Sequence, residues 1–231
     1  MKTIGLIGGM SWESSLEYYR IINETVNARL GRLHSAECLM YSVDFDEIER
    51  LQHQGRWEEL TGIMVDTARR LKNSGADFIV ICTNTMHKMA DDIEKSAGIK
   101  VLHIAEAAGS KIVEKGIKRV GLLGTRFTME GNFYRKVLKD KFDIDVIIPE
   151  EAERESVHAV IYNELCKGVI NKASKEAYIK IIDRLVLQGA EGIVLGCTEI
   201  PLLIKQEDVK VPVFDTTEIH AVSAVEYALE S

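Results

Sequence analysis

The sequence predicts an α/β fold of two pseudo-twofold-related, Rossmann-like lobes with parallel sheets, and three observations predict it. Short apolar runs rich in β-branched residues alternate with helical periodicity along the chain, the pattern of parallel strands covered by helices. Gly75-Ala76-Asp77-Phe78-Ile79-Val80-Ile81-Cys82-Thr83 aligns without a gap on Gly189-Ala190-Glu191-Gly192-Ile193-Val194-Leu195-Gly196-Cys197. An earlier stretch, Thr3-Ile4-Gly5-Leu6-Ile7-Gly8-Gly9, is echoed by Arg119-Val120-Gly121-Leu122-Leu123-Gly124-Thr125. Gly5 precedes Thr83 by 78 residues and Gly121 precedes Cys197 by 76, so one unit occurs twice. Self-similarity this long indicates a duplicated domain rather than a solenoid, whose periods are shorter.

In order, Thr3 to Ile7 reads as the first strand. Ser14 with Glu17 resembles a capping box, and Tyr18, Ile21, Ile22, Val26 and Leu30 form the apolar stripe of a helix that stops at Gly31. Ala36 to Val43 is a second strand, followed by a short helix over Asp46 to Gln52 and a longer one over Trp57 to Lys72. After the first repeat strand comes a helix over Met86 to Ser96, a strand over Lys100 to Ile104 and a helix over Glu106 to Lys115. The second unit follows, with helices over Phe127 to Lys141, Glu151 to Cys166 and Ser174 to Gln188, and a strand over Ile144 to Ile148. A strand over Val211 to Phe214 and a helix over Thr216 to Leu229 close the chain. The first lobe is expected over residues 1–98 plus 209–231 and the second over 99–208, with the active site in the cleft between them.

With 231 residues the chain is long enough to bury a core, and 46% hydrophobic with 28% charged residues is ordinary for a globular protein. A formal charge of −7 argues against a nucleic-acid binder, which needs a basic face. No apolar stretch approaches the length that spans a bilayer, and the N-terminus enters a strand directly, so neither membrane association nor a signal peptide is expected. Cys38, Cys82, Cys166 and Cys197 are scattered, without a C-x-x-C pair. Disulfides and a metal site are therefore not expected, and a reducing cytoplasm fits. The Gly-x-x-Gly-Gly of Gly5 to Gly9 lacks the spacing of a dinucleotide loop.

Both repeat strands end in a small polar cluster, and in open α/β sheets ligands bind at the carboxyl ends of the strands. In the alignment Thr83 is the counterpart of Cys197. Inverting a carbon that bears a hydrogen requires a proton to leave one face and another to arrive at the opposite face. Two proton-handling groups on opposite walls of a cleft suit that task. A thiol has an ordinary pKa of about 8.5, which a helix N-terminus can lower. Cys197 is expected at such a terminus. Asn84, Thr85, Thr125, Thr128 and Thr198 are short donors that could stabilise charge on a carboxylate beside the reacting carbon.

The motifs Ile81-Cys82-Thr83-Asn84-Thr85-Met86-His87 and Val194-Leu195-Gly196-Cys197-Thr198-Glu199-Ile200-Pro201 resemble the two signature segments of the aspartate/glutamate racemase family. The strand ends Gly5 to Trp12 and Gly121 to Thr125 are also similar to that family, and the resemblance covers the whole chain. It implies cofactor-independent, two-base racemisation of an acidic amino acid, aspartate or glutamate, without pyridoxal phosphate or metal, usually in a homodimer. Within the family the chain resembles an enteric subgroup with Thr in place of the first cysteine, which implies a preference for the L enantiomer. Family members carry cysteine immediately before the Asn-Thr pair; here Thr83 stands there and Cys82 lies one residue earlier. A looser reading of the motif would make Cys82 the base. The internal repeat pairs Thr83 with Cys197 and Cys82 with Gly196, and adjacent strand residues face opposite ways, so Thr83 is preferred.

Around the catalytic pair Thr83 and Cys197, Asn84 and Thr85 are candidates for the α-carboxylate, or simply for capping the helix that follows. Glu199 is a candidate for the substrate ammonium, or a charge at a helix start. Met10 and Gln52 match substrate-contacting positions of the family, and each alone would pass as packing or surface. The family's arginine near Asp44 to Ile48 is missing, leaving Arg126 and Lys167 as the nearest cations for a side-chain carboxylate. His87 reads as a satisfied helix histidine rather than a base. The same scaffold also resembles one-cysteine decarboxylases and cis-trans isomerases, and a carboxylate-binding protein without turnover is the remaining alternative.

Overall fold

The computed structural model describes residues 1–230. It divides into two compact units, Met1–His103 with the chain from His220 onward, and Ile104–Ile219. In the first, β1 (Ile4–Gly8), β2 (Cys38–Ser42), β3 (Phe78–Ile81) and β4 (Val101–Leu102) form a sheet of order β2-β1-β3-β4. In the second, β5 (Arg119–Gly124), β6 (Asp145–Ile147), β7 (Gly192–Gly196) and β8 (Val213–Asp215) repeat it as β6-β5-β7-β8. Every pairing is parallel. The duplication inferred from the sequence is thus a repeated sheet topology.

The lobe boundaries differ from those expected. β4 pairs with β3, so residues 99–103 belong to the first unit, and β8 pairs with β7, so residues 209–219 belong to the second. Each repeat carries its own fourth strand, and the expected boundaries cut both repeats one strand early. Only the closing helix returns. In α11 (Thr216–Leu229), Ala221, Ala224, Val225 and Ala228 join a buried cluster with Tyr18, Ile22 and Val26 of α1 (Trp12–Leu30).

The Gly-Ala-acid signature has a structural meaning. Gly75 and Gly189 turn the chain into β3 and β7 with φ of 102° and 98°, a region that disfavours a Cβ. The acid two residues later then caps the neighbouring strand. Asp77 Oδ2 accepts from the Thr3 N–H at 2.6 Å, and Glu191 Oε2 accepts from the Lys118 and Arg119 N–H groups at 2.7 and 3.1 Å. Those backbone bonds hold the Glu191 carboxyl below the usual range. The caps set the start of β1 against β3 and of β5 against β7.

Alternation along the buried strands supplies two apolar faces per sheet. Ile79 and Ile81 pack with Leu60, Met64 and Ala68 of α3 (Trp57–Asn73), whereas Phe78, Val80 and Cys82 pack with α1 and α11. In the second unit Ile193, Leu195 and Cys197 share a cluster with Tyr178, Ile181 and Leu185 of α9 (Lys172–Leu187). Val194 instead meets Phe214 and Ile112, the latter from α5 (Ile104–Glu114).

Several helix limits differ from the sequence reading for local reasons. α1 starts earlier than expected, with Ser11 as the cap that accepts from the Ser14 N–H. The helix expected over 127–141 is broken where Gly131 is extended at ψ 137°, giving α6 (Arg126–Glu130) and α7 (Asn132–Phe142). A 3-10 turn, Thr85–Met89, precedes α4 (Ala90–Ala97), and another, Leu165–Lys167, follows α8 (Glu151–Asn163). The short helix of α2 (Phe45–His53) is where it was expected, and the helix expected after Cys197 is only the four-residue α10 (Ile200–Leu203). No helix among the described residues is long and apolar enough to cross a membrane.

Ala substitutions separate the conformational role of the glycines from packing. An added Cβ at Gly75 meets nothing within 4 Å, so its cost is set by the positive φ. Gly75→Ala and Gly189→Ala are each expected to lower stability by about 1 kcal/mol or more. Gly62→Ala, on an exposed position of α3 with open space around the new methyl, should raise it by up to about 1 kcal/mol. Urea unfolding midpoints at constant m check all three.

Candidate active site

In the first unit the candidate groups stand at the carboxyl ends of β1 and β3. Gly9 leaves β1 with φ 89°, and a Cβ there would strike the backbone N and O of Val43. Its N–H donates to Ser15 Oγ at 2.7 Å, and that hydroxyl lies 3.0 Å from the Ser11 carbonyl. Ser14 Oγ sits 2.9 Å from the Ser11 carbonyl and 3.0 Å from that of Cys82. In the sequence Ser14 reads only as a helix cap and Ser15 is not singled out. They tie the turn after β1 to the end of β3, and the signal was a run of short hydroxyls directly behind a glycine pair.

Thr83 is half-buried, and Asn84 and Thr85 are buried beside it. Asn84 opens the 3-10 turn but makes no capping bond with its side chain, so capping does not explain it. Gln52, from α2, is buried with Nε2 3.9 Å from Met86 Sδ, and Met10 and Met86 share one apolar cluster. Met10, Gln52 and the Thr83 turn are therefore brought to one end of the first sheet. Cys82 is different. It is fully buried in the cluster on the opposite sheet face, and burial pushes its thiol far above the ordinary range, with the nearby Cys38 adding to the effect.

In the second unit β5 and β7 approach closely where they end: a Cβ added at Gly124 would lie 2.8 Å from the Gly196 carbonyl. Cys197 follows, 8% exposed. Its Sγ–H donates to Glu199 Oε2 at 3.0 Å, and Thr198 Oγ1–H donates to the same oxygen at 2.7 Å. Burial pushes the thiol well above its ordinary pKa, and the Glu199 charge adds to that. The expected lowering by a helix N-terminus is therefore corrected. The helix that follows, α10, has four residues and starts at Ile200, too little dipole to offset desolvation and an adjacent carboxylate. A thiol that donates to a carboxylate is a protonated thiol with a proton acceptor in place.

Thr125 caps α6 by accepting from the Thr128 N–H at 3.3 Å, and its hydroxyl lies 3.2 Å from that of Thr128, which is fully buried. Lys167 is exposed on its 3-10 turn, and Arg126 is exposed with its backbone N–H donating to His158 Nδ1 at 3.2 Å. Tyr178 was not singled out in the sequence. It packs in the Cys197 cluster and donates to the Val157 carbonyl at 2.9 Å.

The sequence matches the Asp/Glu/hydantoin racemase family model over residues 7–224. A Yersinia pestis protein proposed to be an Asp/Glu racemase has a solved structure with 54% identity, complete coverage of both chains and a TM-score of 0.94. The structure of an aspartate racemase homologue from Pyrococcus horikoshii OT3 is 36% identical, also over both whole chains, with a TM-score of 0.87. The broad specificity amino-acid racemase RacX of Bacillus subtilis (strain 168) is 26% identical over 73% of this chain and 72% of its own. With the paired strand-end motifs and the repeated sheet already in place, the conclusion is that this chain belongs to the Asp/Glu/hydantoin racemase family.

Proposed function

We propose that this chain is an isomerase that inverts the α-carbon of aspartate or glutamate by two-base proton transfer between Cys197 and Thr83, without a cofactor. The single observation that carries the reading is the buried Cys197 thiol aimed at Glu199 Oε2, 3.0 Å away. The bond supports a base generated in place: the thiol proton passes to the carboxylate, and the thiolate then takes the α-proton. The electron pair left behind spreads into the substrate α-carboxylate, where Asn84, Thr85 and Thr125 are the assigned donors, the Thr198 hydroxyl being held by Glu199. Thr83 gives its hydroxyl proton to the opposite face; solvent then restores that proton and takes up the one held by Glu199. We assign Glu199 to the thiol rather than to the substrate ammonium, because the same oxygen already accepts from Cys197 and Thr198. Met10 and Gln52 are assigned to the substrate, and Arg126 or Lys167 to its side-chain carboxylate.

The pair is unequal. In the repeat Thr85 is the counterpart of Glu199, so the first half-site has a hydroxyl without a carboxylate two residues on. A hydroxyl yields its proton but hardly abstracts one at neutral pH. Turnover should accordingly start from one enantiomer, and the subgroup resemblance points to L.

Proton NMR in D₂O with L- and D-aspartate and L- and D-glutamate tests this directly. The α-proton signal of the L form should wash out and chiral analysis should show inversion. Cys197→Ala should slow wash-out by a factor on the order of 10² to 10⁴. Thr83→Ala should suppress inversion more than wash-out, and Thr83→Cys should raise activity on the D form. If no amino acid exchanges its α-proton the racemase reading falls, and product release from malonate-type substrates becomes the measurement to make.

Glu199→Gln gives a second test with two opposite signs. Loss of the carboxylate removes the charge that raises the Cys197 pKa, so alkylation at Cys197, followed by peptide mapping, should become faster at pH 8. Loss of the proton acceptor should slow α-proton wash-out by a factor on the order of 10² or more. Parallel changes in the two rates would sink the assignment of Glu199.

A further inference from the structure

Behind the Thr83 turn lies a group of buried aromatic and imidazole rings that the proposed chemistry does not use. His87 is 2% exposed and His220 fully buried. The His87 ring centroid is 5.0 Å from that of His103 and 5.3 Å from that of His220, and Tyr18 packs edge-on against His220 at 5.7 Å. Desolvation, then the neighbouring imidazole, lowers both His87 and His220 to about 3, so both rings are neutral.

Neutrality fixes the tautomers. His220 Nε2 lies 2.9 Å from the Leu102 carbonyl and must donate to it, which leaves Nδ1 to accept from the Tyr18 hydroxyl at 2.8 Å. His87 Nδ1 lies 2.8 Å from the Thr83 carbonyl and must likewise be the protonated nitrogen. The backbone N–H of His87 is spent elsewhere, on the Asn84 carbonyl at 3.1 Å. The imidazole therefore supplies to Thr83 the i+4 bond that a regular helix would take from its backbone. With these nitrogens committed to carbonyls and a hydroxyl, the cluster is not a metal-ligand set, and no such set occurs among the described residues.

We propose that His87, braced by His220 and Tyr18, is a positioning residue for Thr83. It holds the Thr83 peptide plane through the carbonyl and so fixes the direction in which the side chain leaves the end of β3. The His103 ring closes the other side of the imidazole. Function of this kind rests on the reading that Thr83 delivers the second proton, and the test is built so that the two can fail separately.

The readout is the ratio of inversion to α-proton wash-out for the preferred enantiomer in D₂O. Loss of folded protein lowers both rates together and leaves the ratio unchanged, whereas misaiming Thr83 lowers inversion alone. His87→Leu should reduce the ratio by roughly ten- to a hundredfold, the scale of a small misplacement of a reacting group. His87→Asn, whose amide can donate to the same i−4 carbonyl, should restore most of it. An unchanged ratio in His87→Leu, or no rescue by His87→Asn, overturns the positioning role. If the wild-type chain turns out to have no exchange activity, ¹⁵N-edited NMR of the histidine rings still decides the geometry. His87 should show a neutral, Nδ1-protonated ring from pH 5 to 8. An Nε2-protonated ring, or titration near 6.5, overturns the proposal irrespective of activity.

Discussion

Parallel register between β1 and β3, and between β5 and β7, decides where every candidate group stands. Ile7 pairs with Ile81 and Leu123 with Leu195, so each pair of strands ends almost level, and the residues just beyond share one small patch. In parallel sheets a slip of one residue would turn every side chain to the other face. The caps from Asp77 and Glu191 to the first N–H groups of the neighbouring strand fix the register at one end. Glycines allow close approach at the other. The first unit adds the Ser14 hydroxyl between the two strand ends, the second a direct backbone approach at Gly124 and Gly196. Different devices thus hold the same geometry.

Register also bears on the choice between Cys82 and Thr83, and it supports the proposed role of Thr83. Cys82 falls on the strand face covered by α1 and α11, where its Sγ–H points at the Val80 carbonyl at 4.0 Å rather than at a carboxylate, and burial keeps that thiol protonated. Thr83, one residue further, leaves that face. Cys197 stands at the equivalent position of the second unit and is buried too, but its sulfur meets a carboxylate. Burial alone would make both cysteines inert. The difference lies in what each sulfur can give its proton to.

Much of this was legible in the sequence because duplication is a property of spacing. Two echoes at nearly one separation marked the strands, their order of use and the matched positions Thr83 and Cys197. What could not be read was whatever depends on contacts across many residues. Which sheet receives β4 and β8 is a pairing choice that two- and three-residue strands do not announce. The break at Gly131 was invisible because the residues on both sides have good helical character. The raised pKa of Cys197 was missed because neither the burial of the thiol, the larger cause, nor the turn of the Glu199 carboxylate back toward it is visible in the sequence. His87 was read as a satisfied helix histidine, which it is. That its bond goes to the carbonyl of Thr83 follows only from the 3-10 geometry of the turn.

Duplication gives two strand ends of matched topology and register, and the residues just beyond them differ in pairs rather than singly. Cys197 with Glu199 is a weak acid beside an acceptor, and Thr83 with Thr85 is a much weaker acid beside another hydroxyl. Removing the thiol of the second unit, as in Cys197→Ala, would leave Glu199 buried with one charge-assisted donor fewer, a costly arrangement in a desolvated place. Placing a carboxylate at position 85 of the first would bury a charge with nothing acidic beside it to donate. Each half is therefore consistent within itself, and the proposed asymmetry between abstraction and delivery would rest on four positions. In the proposed mechanism the first half, lacking a carboxylate, does not start the reaction: a hydroxyl that only delivers a proton needs no acceptor, but it does need aim. The buried imidazole on the Thr83 carbonyl is the group proposed to supply that aim, and it does so without adding a charge.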